Sequence, residues 1–317
     1  MILNIVNPLG SRSAVVMALT LSLVVAACGD ETETSDDRPL VVATTTILGD
    51  LARQVVGESA RVEVLMPIDA DPHDFQPSSG QVALLADAEL VVANGLGLEE
   101  GLEDAIESTA GDGVTVLWLA AALNPIPFAD HGEEAENGSD HGDLDPHVWM
   151  DPLRMAEGAR LLAAALEEAA PGEDWTTPAE AYAQELLDAD RQITEILAVV
   201  PDERRLLVTN HDSLGYFAAR YGFEILGTVI PGGSTTGEPS SRDLAALAAL
   251  ITEAGVPAVF SETTAPQNVV DAIVAEVGTE VAVVDLYSGS LGPAGTEADT
   301  LIGMLVENAR RIAGALS

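Results

Sequence analysis

The sequence predicts an α/β protein built as two parallel-sheet lobes bridged by one long helix. Three observations predict it. From Leu40 onward, short β-branched runs alternate with amphipathic helical stretches, the order that gives a parallel sheet covered by helices. One stretch, Ala179 to Val200, keeps helical spacing with no Gly or Pro, and ends at Pro201. Apolar residues make up 47% of the chain but aromatic ones only 4%, so the cores must be built from Ala, Val, Leu and Ile, which suits buried parallel strands.

The elements follow in order. Leu40 to Thr46 is a strand, Ile47 to Gly57 a helix, and Arg61 to Met66 a second strand. Ser78 caps a helix that runs to Asp87. Glu89 to Ala93 is a strand, Glu99 to Ser108 a helix, and Val114 to Leu119 a strand. The pattern then breaks at Ala129 to Asp145, an acidic stretch almost free of large apolar residues. A helix from Pro152 to Ala170 and a turn precede the long helix, which at about 1.5 Å per residue spans roughly 33 Å, enough to cross between domains. The second half repeats the alternation. Its strands are Arg205 to Thr209, Glu224 to Val229, Ala258 to Ser261 and Glu280 to Asp285. Its helices are Ser213 to Tyr221, Ser241 to Ala254, Pro266 to Val277 and Thr296 to Ala315. The expected lobes are therefore 40–178 and 201–317, joined by 179–200.

The first 39 residues belong to neither lobe. The apolar run Ala14 to Ala27 is a secretory signal, too short and too close to the terminus for a transmembrane helix. The sole cysteine, Cys28, follows Val25-Ala26-Ala27, the small-residue pattern of a bacterial lipoprotein cleavage site. Residues 1–27 thus read as a signal peptide and 28–39 as a lipidated, flexible tether. The protein is expected outside the cytoplasm, anchored to the cell membrane through Cys28.

Charge excludes one class of partner. The chain carries 52 acidic and 13 basic residues, every basic one an arginine, for a net charge of −39. Such a surface repels nucleic acid and anionic membrane. The acidity itself reads as a solvated coat, as in proteins adapted to high salt.

Histidine is scarce, and its placement carries the functional reading. His73 lies in Asp71-Pro72-His73, beyond the second strand. His147 lies in Asp145-Pro146-His147, and His211 in Asn210-His211-Asp212 directly after a strand. Asp285 closes the last strand. Ligand sites in open α/β sheets lie beyond the carboxyl ends of strands. Three imidazoles and one carboxylate, two from each lobe, form a set of the kind divalent transition metals favour. A single strand-end histidine is more often a cap or a core residue, and the spacing is no compact motif.

At these residues the chain resembles the metal-binding (zinc and manganese) family of ABC-transporter solute-binding proteins. The matching pieces are DPHDFQPS from Asp71, NGLGLE from Asn94, DPHVWMDP from Asp145, NHDSLGYFAARYG from Asn210, GEPSSRDLAAL from Gly237 and DLYSGSLG from Asp285. The resemblance implies two α/β lobes with the metal in the cleft between them. It implies His73, His147, His211 and Asp285 as the ligands. It implies delivery of the ion to an ABC permease with its ATPase subunit. Four protein ligands would close the site and no general-base motif is present, so the chain is expected to be no enzyme; it is expected to be a monomer. An imidazole-rich set favours zinc over manganese, which stays as the alternative cargo. His131 and His141, in the acidic stretch, are candidates for an auxiliary metal-collecting loop. Glu262 ends a strand and either orients an imidazole or caps a helix; Trp149 and Tyr216 are expected in the cleft walls. A zinc hydrolase and a surface adhesin on the same fold remain rival readings. The hydrolase would need an open coordination position and a placed base.

Overall fold

The computed structural model describes residues 36–128, 144–264, 267–277 and 281–317. Cys28, His131 and His141 therefore lie outside the described residues. Among the described residues no helix is long and apolar enough to cross a membrane.

Among the described residues eight strands form two all-parallel sheets. The first holds β1 (Leu40–Ala43), β2 (Arg61–Val64), β3 (Leu90–Ala93) and β4 (Thr115–Trp118), in the order β2-β1-β3-β4. The second holds β5 (Leu206–Thr209), β6 (Glu224–Thr228), β7 (Ala258–Glu262) and β8 (Ala282–Leu286), in the order β6-β5-β7-β8. The two orders are the same permutation. In each lobe the chain steps to one side of its first strand and then to the other, which opens a crevice between β1 and β3 and another between β5 and β7. Side chains cannot fill such a switch point from the crossovers, so it becomes a ligand site.

Helices cover both sheets: α1 (Thr46–Val56), α2 (Ser79–Ala86), α3 (Glu103–Gly111), α4 (Leu119–Ala122) and α5 (Pro152–Ala169) in the first half, α7 (Gly215–Tyr221), α8 (Ser241–Ala254), α9 (Gln267–Val277) and α10 (Leu301–Leu316) in the second. Between them α6 runs Thr176–Leu197, three residues earlier at each end than the sequence pattern placed it. Local chemistry sets many ends. Ser78 and Gln81 form a reciprocal capping box at α2, and Asp151 with Pro152 starts α5.

One core runs through both halves. Leu48, Leu51, Leu162, Leu186, Ile193, Phe217 and Leu305 are all buried in it, so α6 is packed against α1, α5 and α10 rather than standing free. Two polar anchors fix it. The Tyr182 hydroxyl donates to Asp50 on α1 at 3.2 Å, and the Arg220 guanidinium on α7 holds Asp190 through two bonds. Asp50 also accepts the Leu301 N–H at 2.9 Å, which ties the start of α10 to α1. That bond and the Thr300 cap explain why α10 begins at Leu301 rather than at Thr296.

Candidate metal centre

His73 and His147 are positioned by the same local device. In each Asp-Pro-His turn the aspartate Oδ1 accepts the backbone N–H of the histidine two residues on, at 3.0 Å for Asp71 and 2.8 Å for Asp145. Proline between them fixes φ, so the turn is set before anything binds. The Asn94 side chain, just past β3, donates to the Pro146 carbonyl at 2.9 Å and hangs the second turn on the switch point of the first sheet. His211 follows β5 directly, beside the second sheet's switch point.

A residue the sequence did not single out for this role secures the first of these points. Glu99, read from the sequence as a helix start, is buried and precedes α3. Its carboxylate accepts the Thr44 hydroxyl at 2.6 Å, the Asn94 N–H at 2.8 Å and the Gly95 N–H at 2.9 Å. It thus ties the ends of β1 and β3 together. It closes the NGLGLE piece and binds the Asn94 and Gly95 N–H groups of that same piece, but its burial is what the sequence does not show.

The three imidazoles converge. Nε2 of His147 lies 3.4 Å from Nε2 of His73 and 3.2 Å from Nε2 of His211. All three rings are buried, and one nitrogen from each lies within 4.8 Å of the other two. Asp71, Leu98, Trp149, Thr264 and Gly289 line the remaining space. Trp149 closes one wall: its ring stands edge-on to His147, and its Nε1 donates to the Ser288 carbonyl at 2.8 Å, across from one lobe to the other. Tyr216 stands one step back, donating to the Asp145 carbonyl at 2.7 Å.

Two rings have a carboxylate behind them. Nδ1 of His211 lies 2.6 Å from Glu262 Oε1, and Nδ1 of His147 lies 2.7 Å from Asp145 Oδ1. The electrostatics of the two pairs differ. Burial drives the Glu262 carboxyl up, but the His211 charge and hydrogen bonds from His211 and Ser288 outweigh it and hold the carboxyl down at about 2. Burial likewise pushes His211 down, yet the Glu262 carboxylate wins and keeps the imidazole above its ordinary value. At the other pair burial prevails: the Asp145 carboxyl rises to about 8 and the His147 imidazole falls to about 3. Without a cation, then, the Glu262 carboxylate favours the charged form of His211, whereas burial disfavours that of His147.

The carboxylate expected as fourth ligand is elsewhere. Asp285 is exposed on β8, paired with Ser261 of β7, and its carbonyl accepts from Arg311 at 2.8 Å. The reason is strand parity. β8 runs one residue further than the sequence reading, to Leu286, and Asp285 pairs with Ser261 while Leu286 pairs with Glu262. Paired residues share a face and neighbours alternate, so Asp285 points away from the face that carries Glu262. The turn beyond β8 reaches the site instead, and there Gly289 offers no side chain. Among the described residues the convergent set is therefore three imidazoles, with Glu262 behind one of them.

A family model described as the periplasmic zinc-uptake complex component A matches residues 41–315. The chain is 33% identical over 299 residues to the zinc-binding protein TroA of Treponema pallidum, spanning 92% of this chain and 93% of that protein. It is 29% identical over 304 residues to the manganese-binding lipoprotein MntA of Halalkalibacterium halodurans, spanning 94% and 96%. Among solved structures, the periplasmic zinc-binding protein TroA from Treponema pallidum matches with a TM-score of 0.79 at 31% identity, over 88% of this chain and 99% of that one.

Proposed function

Because the chain belongs to the zinc-uptake component A family, the metal-binding solute-binding proteins of ABC importers, we propose that it captures one zinc ion on His73, His147 and His211 and hands it to a membrane permease driven by an ATPase subunit. The observation that carries this reading is the spacing of the ring nitrogens. A tetrahedral centre with Zn–N of about 2.0–2.1 Å has nitrogen–nitrogen edges of about 3.3–3.4 Å. The two measured edges are 3.4 and 3.2 Å, already the right size for the ion.

Zinc is the cargo this donor set favours. Imidazole nitrogens suit it, whereas manganese favours carboxylate and water oxygens, and the convergent group holds three nitrogens. Manganese is the competing cargo, since relatives named for manganese match over nearly the whole chain. Three protein ligands leave one tetrahedral position to water, which is also what a zinc hydrolase requires. The nearby carboxylates do not serve as a base, however: Glu262 is held by His211, Ser213 and Ser288, and Asp71 by Thr235 and the His73 backbone. Capture and release without turnover is the better reading.

The protein acts as a monomer held outside the cytoplasm by lipid on Cys28. The apolar run before the sole cysteine supports the anchor, and so does the naming of the manganese-binding relatives as lipoproteins. His131 and His141 would serve as an auxiliary metal-collecting pair in the acidic stretch.

Competitive titration of the soluble chain starting at Arg38, with zinc and manganese followed by calorimetry, tests the site. Tight one-to-one zinc binding is expected. Tight manganese with weak zinc would overturn the cargo, and binding of neither ion would overturn the site. Normal metal uptake in a strain lacking the protein would favour the adhesin.

A further inference from the structure

We propose that the Thr235 hydroxyl is the latch that governs release of the metal, a positioning residue that acts through Asp71. This rests on the reading of the three histidines as the metal site. The segment between β6 and α8 leaves its own lobe and lies over the Asp-Pro-His turn of the other. Thr235 Oγ1 donates to Asp71 Oδ2 at 2.6 Å. The other oxygen of the same carboxylate accepts the His73 backbone N–H at 3.0 Å. One carboxylate thus couples the crossing segment to the backbone of a metal-binding residue. Beside it, Ser234 donates to Glu100 at 3.4 Å, and the Phe128 ring packs on the bare backbone of Gly233, where a side chain would collide with it.

The opposite side of the turn is held far more firmly. There the Ser288-Gly289-Ser290 turn is fastened to the first lobe by three bonds: Trp149 Nε1 to the Ser288 carbonyl, the Asp69 N–H to Ser290 Oγ, and the Leu291 N–H to Thr46 Oγ1. Two of these use backbone N–H groups and the third a backbone carbonyl, and Ser288, Ser290 and Leu291 are all buried. The crossing segment relies instead on side-chain hydroxyls, and its neighbours Gly232, Thr236 and Gly237 are exposed. Opening begins where the fewest buried contacts must break. That is the Thr235 side, and its strongest bond is the one to the Asp71 carboxylate, a charge-assisted bond.

Because the latch acts on the closed state, its loss shows in the dissociation rate more than in association. The experiment loads the chain with zinc, confirms one-to-one binding, and follows release into excess chelator by stopped flow. Thr235→Val should release zinc about tenfold or more faster, the loss expected for a hydrogen bond to a charged group. Thr235→Ser, which keeps the hydroxyl, should release at the unmodified rate. Gly233→Ala, which forces the Phe128 ring off the segment, should accelerate release independently. Unchanged release from a folded, zinc-loaded Thr235→Val overturns the latch and leaves the site standing. Failure of the unmodified chain to bind zinc overturns the site, and the latch with it.

Discussion

Glu262 Oε1 lies 2.6 Å from Nδ1 of His211, so the ends of β7 and β5 are joined at the switch point of the second sheet by a carboxylate–imidazole pair. The carboxylate fixes the proton on Nδ1, turns Nε2 toward the other two rings, and makes that nitrogen more basic. Glu262→Gln preserves an acceptor for the Nδ1–H but removes the charge. It should weaken zinc binding by about tenfold or more, within the range found when partners behind a metal ligand are removed. Competitive titration against a chelator of known affinity measures it. An unchanged affinity would reduce Glu262 to a structural cap.

The same pair sets the pH dependence. A metal ion needs the His211 Nε2 lone pair, and in the metal-free protein Glu262 keeps this ring protonated above its ordinary value of 6.5. The Asp145–His147 pair holds a further proton until about pH 8, because burial raises the Asp145 carboxyl. Protons must therefore leave as zinc enters, and affinity should climb as pH rises from 6.5 toward 8. Calorimetry at neutral pH in buffers of different ionisation enthalpy should find roughly one to two protons released per ion. Release of none would mean that His211 is neutral before binding.

Strand parity at Asp285 gives a sharp contrast between variants. Replacing His73, His147 or His211 by alanine should each cost on the order of 100-fold in zinc affinity, about a sixth to a quarter of the binding free energy of a zinc site. Asp285→Ala should leave affinity at the unmodified value, since its side chain lies on the exposed face of β8. Loss of binding in Asp285→Ala would contradict the observed register of β7 and β8.

The histidines were legible because their context is local. Asp-Pro-His builds its own turn from three adjacent residues, and Asn-His-Asp sits where a β-branched run stops. The alternation of strands and helices was legible for the same reason. Asp285 was not, because its facing is set by the register of β8 on β7, a pairing between distant segments that places it opposite Ser261 rather than Glu262. Glu99 and Thr235 act through partners 55 and 164 positions away, and no local pattern encodes such contacts. A chain with 52 acidic residues also hides the few carboxylates that are buried. Glu99, Asp145 and Asp50 differ from the solvated majority only in what the fold places above them.

Asp50 carries the last prediction. It is buried on α1 and accepts from Tyr182 on α6, from the first N–H of α10, and from Gln54 on its own helix. Three elements distant in sequence thus meet at one carboxylate. Asp50→Ala would leave the Leu301 N–H and the Tyr182 hydroxyl buried without an acceptor, at about 1–3 kcal/mol for each group. Neither donor can turn to water easily, since both residues lie in the core that joins the lobes. A loss of roughly 2–4 kcal/mol is therefore expected in denaturant unfolding of the metal-free protein. The zinc affinity of the folded variant should change little, because the carboxylate supports the scaffold and touches none of the three imidazoles. A variant as stable as the unmodified protein would mean that these donors find other partners. A variant of normal stability but weakened zinc binding would mean that the α1–α6–α10 junction controls the cleft rather than the fold.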